Sequence, residues 1–316
     1  MGVESRTENH ATHYGAIDGL RTIAAFGIVM MHVAANNNYA ITGYVYETMI
    51  PSFTNFVFLF MVVSAFGMCC GYYDRILKGT VSFSKFYGKR FRKVLPFFAV
   101  LVFLDILISP SVASIYEGFA DLTLLFGLLP DAGNITVIGV GWFLGLTFVF
   151  YLLFPFFCVL IENKRRAWAA FAISLAYNFA CTAYFHVGRQ NILYSGCFFI
   201  AGGLVYLYRE ELAGIRGWKQ GLLLGLTALT ILAYYNIGGN SLTYLLVSVA
   251  LLIYAVSGSG NNTEIEMGGG VLTRAKGDPS RRTACWKIES HGFSAASAWR
   301  YIFPTWSFTG RLKSCI

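Results

Sequence analysis

Runs of about twenty apolar residues recur along this chain, and no other feature limits its possible folds so tightly. A hydrocarbon core about 30 Å thick is crossed by roughly 20 helical residues. Runs of that order lie at 17–36, 53–73, 94–110, 142–161, 167–185, 191–208, 219–237 and 242–257. A helix satisfies its own backbone hydrogen bonds where no water can do so. The expected fold is therefore all-α, a polytopic transmembrane helix bundle of about eight spans. Composition agrees, since 56% of the 316 residues are hydrophobic and only 13% are charged, unlike an ordinary soluble domain.

The formal net charge of +8 raises nucleic acid as a partner, but phosphate-backbone binding needs basic residues on a water-facing surface beside a modest core. Here most of them sit in short connections between apolar runs, so no nucleic-acid partner is expected. Membrane topology accounts for the pattern, because basic loops stay on the cytoplasmic side. The connection "DRILKGTVSFSKFYGKRFRK" carries Arg75, Lys78, Lys85, Lys89, Arg90, Arg92 and Lys93 against Asp74 alone. "ENKRR" at 162–166 and "REELAGIRGWK" at 209–219 fall on the same side, while 34–52, 111–141 and 238–241 face outward. This arrangement predicts a multi-pass protein of the plasma (inner) membrane with a cytoplasmic N-terminus. The polar start, with Glu4 and Glu8, lacks the plan of a cleavable signal peptide.

Other segments carry less information. "FADLTLLFGLLP", 119–130, is too short to span and predicts an interfacial or re-entrant helix. Gly217, Gly221 and Gly225 have the helical spacing of a close-packing stripe. Cys69, Cys70, Cys158, Cys181 and Cys197 lie in apolar runs, where cysteine acts as a small hydrophobe. No zinc-type or redox-type spacing occurs, so no metal site is expected. From residue 258 the composition turns to Gly, Ser, Thr and basic residues. We expect residues 1–257 to form the membrane domain and 258–316 an atypical polar tail, disordered or frameshifted.

The sharpest chemical signal is in the first run, "IDGLRTIAAFGIVMMHVAANNNY". His32 lies eleven positions after Arg21, which at 100° per residue leaves only about 20° between them and places them about 16 Å apart along the axis. Ionisable groups placed this way face a bundle interior or a wet cavity and are functional candidates. Asp18, three residues before Arg21, can pair with it. The alternatives stay open: Arg21 could snorkel to headgroups, and His32 could sit bonded at the outer interface. Asp105, a carboxylate inside a run, also calls for a partner or a wet cavity.

Four segments, "YGAIDGLRTIAAFGIVMMH", "FVFLFMVVSAFGM", "FSKFYGKRFRKVLP" and "GWFLGLTFVFYLLFP", in that order resemble the acyltransferase-3 family of membrane acyltransferases. "YGAIDGLRTIAAFGIVMMH" is similar to its first helix, with Arg, ten residues, then His falling on Arg21 and His32. "FVFLFMVVSAFGM" resembles its F-F-x-x-S-G-F segment, with Ala65 for the usual glycine. "FSKFYGKRFRKVLP" resembles F-x-x-R-R-x-x-R-I-x-P, with Arg90 and Lys93 at the paired basic positions. "GWFLGLTFVFYLLFP" is close to W-x-L-x-x-x-x-x-F-Y-L-x-F-P, with Thr147 where many members have glutamate. The matches cover residues 14–160. The family's fold has about ten helices, so the resemblance implies that the last one or two are missing from the apolar runs here.

The resemblance implies transfer of an acyl group, commonly acetyl, from cytosolic acyl-CoA to a hydroxyl of a cell-surface or cell-wall carbohydrate or lipid-linked glycan. On that reading Arg21, Arg90 and Lys93 hold the CoA phosphates, and His32 is the general base. A transporter or glycan exporter using the same intramembrane groups is the rival reading, and a catalytically inactive membrane partner is a third.

Overall fold

The computed structural model describes residues 14–38, 40–128 and 141–268, with side chains to residue 257. The chain runs through α1 (Gly15–Asn36), a π-helical turn (Val45–Met49), α2 (Ile50–Ser52), a 3-10 turn (Phe53–Asn55) and α3 (Phe56–Leu77). There follow α4 (Phe83–Ile108), α5 (Val112–Thr123), α6 (Trp142–Ile161), α7 (Lys164–Ala180), α8 (Ile192–Leu207), α9 (Arg209–Ala213), α10 (Trp218–Ile237) and α11 (Ser241–Gly268). The described residues contain no strand, and the architecture is the expected all-α bundle.

Among the described residues four segments are long and apolar enough to cross a membrane: Gly15–Asn36, Val45–Leu77, Trp142–Ile161 and Trp218–Ile237. Ile192–Leu207 and Ser241–Ser257 are shorter apolar helices. Of the remaining expected runs, 94–110 is the second part of α4, whose first turns carry the basic cluster, and 167–185 covers α7 with its π-helical extension Cys181–Phe185. The short helix begins earlier than its apolar letters suggest, at Val112, because Ser111 caps it by accepting from the Ser114 amide at 2.9 Å. It stops at Leu124, which is left-handed at φ 57°. The expected boundary at 257 falls within α11, and the expected tail beyond 268 lies outside the described residues.

Helix α3 is the centre of the bundle. It packs on α1, α6, α8 and α11, and Phe58, Val62, Ala65, Phe66 and Cys69 are fully buried. Lipid tails are as apolar as leucine, so close packing rather than escape from water holds such helices together. At Gly202 of α8 the Val62 carbonyl fills the space a Cβ would need, and at Gly203 the Phe157 ring does the same. Rings then interdigitate, with Phe58 stacked on Phe198 at 4.2 Å and Phe150 on Phe199 at 4.4 Å.

The expected glycine stripe on α10 makes no such contact. Gly221 and Gly225 have nothing within 4 Å of a Cβ position, and Gly217 is a left-handed residue at φ +64° ahead of the helix. The reason is location: α10 is peripheral, burying only Thr227, while Leu222, Leu226, Leu229 and Leu232 point outward. Glycine spacing marks a contact only where a partner helix arrives.

Chain direction alternates, which sorts side chains by end. One end gathers the first turns of α1, α4, α7 and α10 with the last turns of α3, α6 and α8. Every described Lys and Arg lies there except Arg189, and we call it the basic end. The opposite end gathers the last turns of α1 and α10 with the first turns of α3, α6, α8 and α11.

Candidate functional site

On α1 the buried positions are Ile17, Ala24, Ala25, Gly27, Ile28 and Met31, while Ile23, Phe26 and Val33 are exposed. Arg21 and His32 belong to the buried side, toward α3 and α11. The structure thus sets both on one inward face at opposite ends of the helix.

At the basic end Arg21 is 18% exposed and donates to Asp18 at 2.8 Å. Its guanidinium lies over Gly67 of α3, where a Cβ would come within 2.5 Å of a terminal nitrogen. Glycine at 67 is what lets the arginine lie flat against α3. Beside it the Tyr14 ring meets Phe66 edge-on at 5.3 Å, and Arg209 stacks over Tyr206 at 4.1 Å while donating to that residue's carbonyl at 3.1 Å.

Arg90 sits in an aromatic cage. Its guanidinium carbon is 5.1 Å from the Tyr72 ring centre, 5.5 Å from Phe86 and 5.0 Å from Tyr151, and its buried Nε has no hydrogen-bond partner. Lys93, one turn further, is exposed. Gly67 and Tyr72 are five residues apart, about 140° around α3. Arg21 and Arg90 thus approach α3 from different sides instead of forming one cluster.

The opposite end holds a residue that sequence reasoning missed. Arg189, between α7 and α8, donates to Thr54 Oγ1 at 2.9 Å and lies over the Trp142 ring at 5.2 Å. Its charge reaches His32. Burial pulls the Arg189 pKa below its ordinary value, and the neighbouring Tyr194 and Tyr244 hydroxyls oppose that shift. The Arg189 carbonyl is held by Ser195 Oγ at 2.7 Å. Around it Tyr194 bonds Ser241 at 2.7 Å, and Asn55 donates to Tyr234 at 3.3 Å. The result is a polar, aromatic rim around a half-buried histidine and a single cation. The available signal was that Arg189 is the one basic residue in the connections on the sparsely charged side.

Two further residues singled out in the sequence lie elsewhere. Thr147 is buried in α6, a neutral hydroxyl with no carboxylate chemistry to offer. Asp105 lies toward α5, within electrostatic reach of Asp121, which also feels Glu117. Asp121 is fully buried, and neither of its carboxylate oxygens has a hydrogen-bond partner. Burial first, then the charges of Glu117 and Asp105, push its carboxyl up to about 7. Among the described residues no group of three His, Cys, Asp or Glu side chains could hold a metal.

The arrangement offers cations around one end of α3 and, along the same face of α1, an imidazole beside a guanidinium at the other end. Comparison with known proteins gives no match to a curated protein or to a solved structure. A family model, the acyltransferase domain of the acyltransferase-3 family, matches residues 14–274, which spans α1 through α11 and includes Arg21, His32, Arg90 and Lys93. With its apolar helices and this match, the chain belongs to the acyltransferase-3 family and is a membrane acyltransferase.

Proposed function

We propose that this acyltransferase takes an acyl group, acetyl in the simplest case, from cytosolic acyl-CoA and passes it to a hydroxyl of a cell-surface or cell-wall carbohydrate or lipid-linked glycan. The observation that carries the reading is the placement of Arg21 and His32 on one inward face of α1, about 16 Å apart along the helix axis. The basic end is then cytoplasmic, N-terminus included, as the charge bias favours, and the membrane is the plasma membrane.

The residues present suit a polyphosphate donor. Arg21 spends one terminal nitrogen on Asp18, leaving further donors for phosphate oxygens. Arg90 has a buried Nε without a partner, and Lys93 stands one turn away at the surface. These groups flank the last turns of α3 on two sides. That geometry suits a ligand such as CoA, with a diphosphate and a separate ribose phosphate, better than one compact anion.

His32 accepts the proton of the acceptor hydroxyl as that oxygen attacks the thioester carbonyl carbon. The carbon–sulfur bond breaks with its electron pair leaving on sulfur, and His32 returns the proton to the thiolate. Arg189 meets the negative charge that builds on the carbonyl oxygen during attack, held for the purpose by Thr54 and Trp142. General-base action of this kind contributes about 10²–10⁴-fold.

The test is transfer of label from radiolabelled acetyl-CoA to surface glycan in membranes carrying the full chain. Label should appear with the wild type and vanish with His32→Ala. Unchanged labelling in that variant would overturn the base assignment. Substrate flux in proteoliposomes without acyl chemistry would support transport instead.

A further inference from the structure

A cavity of about 250 Å³ opens at the basic end between the last turns of α3 and the first turns of α4. Its walls carry Arg75 from α3 and Lys85, Lys89 and Arg92 from α4, with Tyr72, Val81 and Phe86 as the apolar part. No carboxylate lines it, and none of its four cations forms an ion pair among the described residues. Arg75 leans over the Tyr72 ring at 5.5 Å. Topology alone requires positive charge somewhere on this side. It does not require four cations to converge on one concave, carboxylate-free space.

The register of α4 says what chemistry lies next to the charge. Positions 85, 89 and 92 share one helical face, and continuing that face by turns of three or four residues leads through 96, 100, 103 and 107. Those residues are Pro96, Val100, Phe103 and Leu107, all exposed, with Leu107 at 76%. A cationic cavity at the membrane boundary thus continues directly into an uncovered apolar ridge running toward the other end. A soluble phosphate would use only the first part. A molecule with a phosphate head and hydrocarbon tails uses both.

We propose that this cavity is a binding site for the headgroup of an anionic phospholipid, whose acyl chains lie along the Val100–Phe103–Leu107 ridge of α4. Basic pockets between spans at a membrane surface recognise such headgroups, and each neutralised cation removes a comparable share of the affinity. None of its four cations is assigned to donor or base, although its Tyr72 and Phe86 walls also flank Arg90, and the proposal stands whether or not the acyl-transfer reading holds.

The experiment uses the purified full chain, with native mass spectrometry after exchange into micelles containing phosphatidylglycerol or phosphatidylcholine. The wild type should retain phosphatidylglycerol and not phosphatidylcholine. The triple variant Lys85→Gln, Lys89→Gln, Arg92→Gln should bind phosphatidylglycerol roughly a hundred-fold more weakly. A control triple, Lys78→Gln, Arg165→Gln, Lys219→Gln, removes the same charge from exposed positions of the same end and should bind as wild type. Thermal unfolding in neutral detergent checks that both triples fold, and Phe103→Ala tests the ridge without touching charge. Equal loss in both triples would reduce the effect to surface charge and overturn the proposal. Retention in the first triple would overturn it directly. Release of the wild-type lipid by millimolar inorganic pyrophosphate or by CoA would assign the cavity to a soluble phosphate instead.

Discussion

The two ends of the bundle use positive charge differently. At the basic end cations are plentiful and serve more than one purpose: Arg21 pairs with Asp18 beneath Gly67, Arg90 is enclosed by three rings, Lys164 pairs with Glu211, and four others converge on a cavity. At the opposite end there is one described cation, Arg189, held by Thr54 and Trp142 with its charge reaching His32. Topology explains an abundance of arginine and lysine on one side. It gives no reason for a lone, half-buried guanidinium on the other, so the rarer charge carries the stronger functional implication.

Among the cations, the largest expected effect tests that contrast. Arg189→Ala should lower turnover about 10²–10³-fold, the usual cost of removing one donor to a developing oxyanion, with donor KM little changed. Arg189→Lys keeps the charge but not the planar stack on Trp142 and should recover only part of the loss. If both variants behaved as wild type in steady-state assays, Arg189 would be structural and the comparison of the two ends would fail.

Next in size are changes at the basic end, which should appear in donor binding. Arg90→Ala removes a caged guanidinium and should raise donor KM roughly ten-fold with kcat nearly intact. Gly67→Ala should do the same more weakly, because its Cβ displaces the flexible tip of Arg21 instead of fixed backbone. A fall in kcat alone for either variant would move that arginine from donor holding to the chemical step.

The smallest effect on activity belongs to Asp121, and its signature is stability. Its folded pKa, up at about 7 against an ordinary carboxylate value of 3.8, means the folded state holds a proton that the unfolded state releases. Wild-type stability should therefore fall as pH rises from about 4 to about 7. Asp121→Asn removes the titration and should be more stable than wild type at pH 8 by up to a few kcal/mol, roughly 1.4 kcal/mol per unit of pKa difference, with the gap closing near pH 4. Parallel melting curves for the two proteins across this range would contradict the buried, unpartnered carboxylate.

How much of this was legible beforehand depended on the range of the interaction. The helices follow from the length of the apolar runs, and the shared face of Arg21 and His32 from a period of 3.6 residues, both local properties that survive folding. The start of α5 was also local, a serine cap at Ser111, but the apolar letters further on drew attention past it. The lone charge of Arg189 was legible but its contacts were not, since Thr54 is 135 residues away in the chain and only the fold brings them together. The same holds for the Arg90 cage, assembled from α3, α4 and α6, and for the close packing at Gly202. Gly217, Gly221 and Gly225 have the right spacing for packing and no neighbour to pack against.

The central claim is that one face of α1 holds the donor at one end and activates the acceptor at the other. Its most direct test is kcat and donor KM measured side by side for Arg21→Ala and His32→Ala with acetyl-CoA. The account predicts a split, with Arg21→Ala raising KM at nearly unchanged kcat and His32→Ala lowering kcat at nearly unchanged KM. The reverse assignment, or the same change in both, would contradict it.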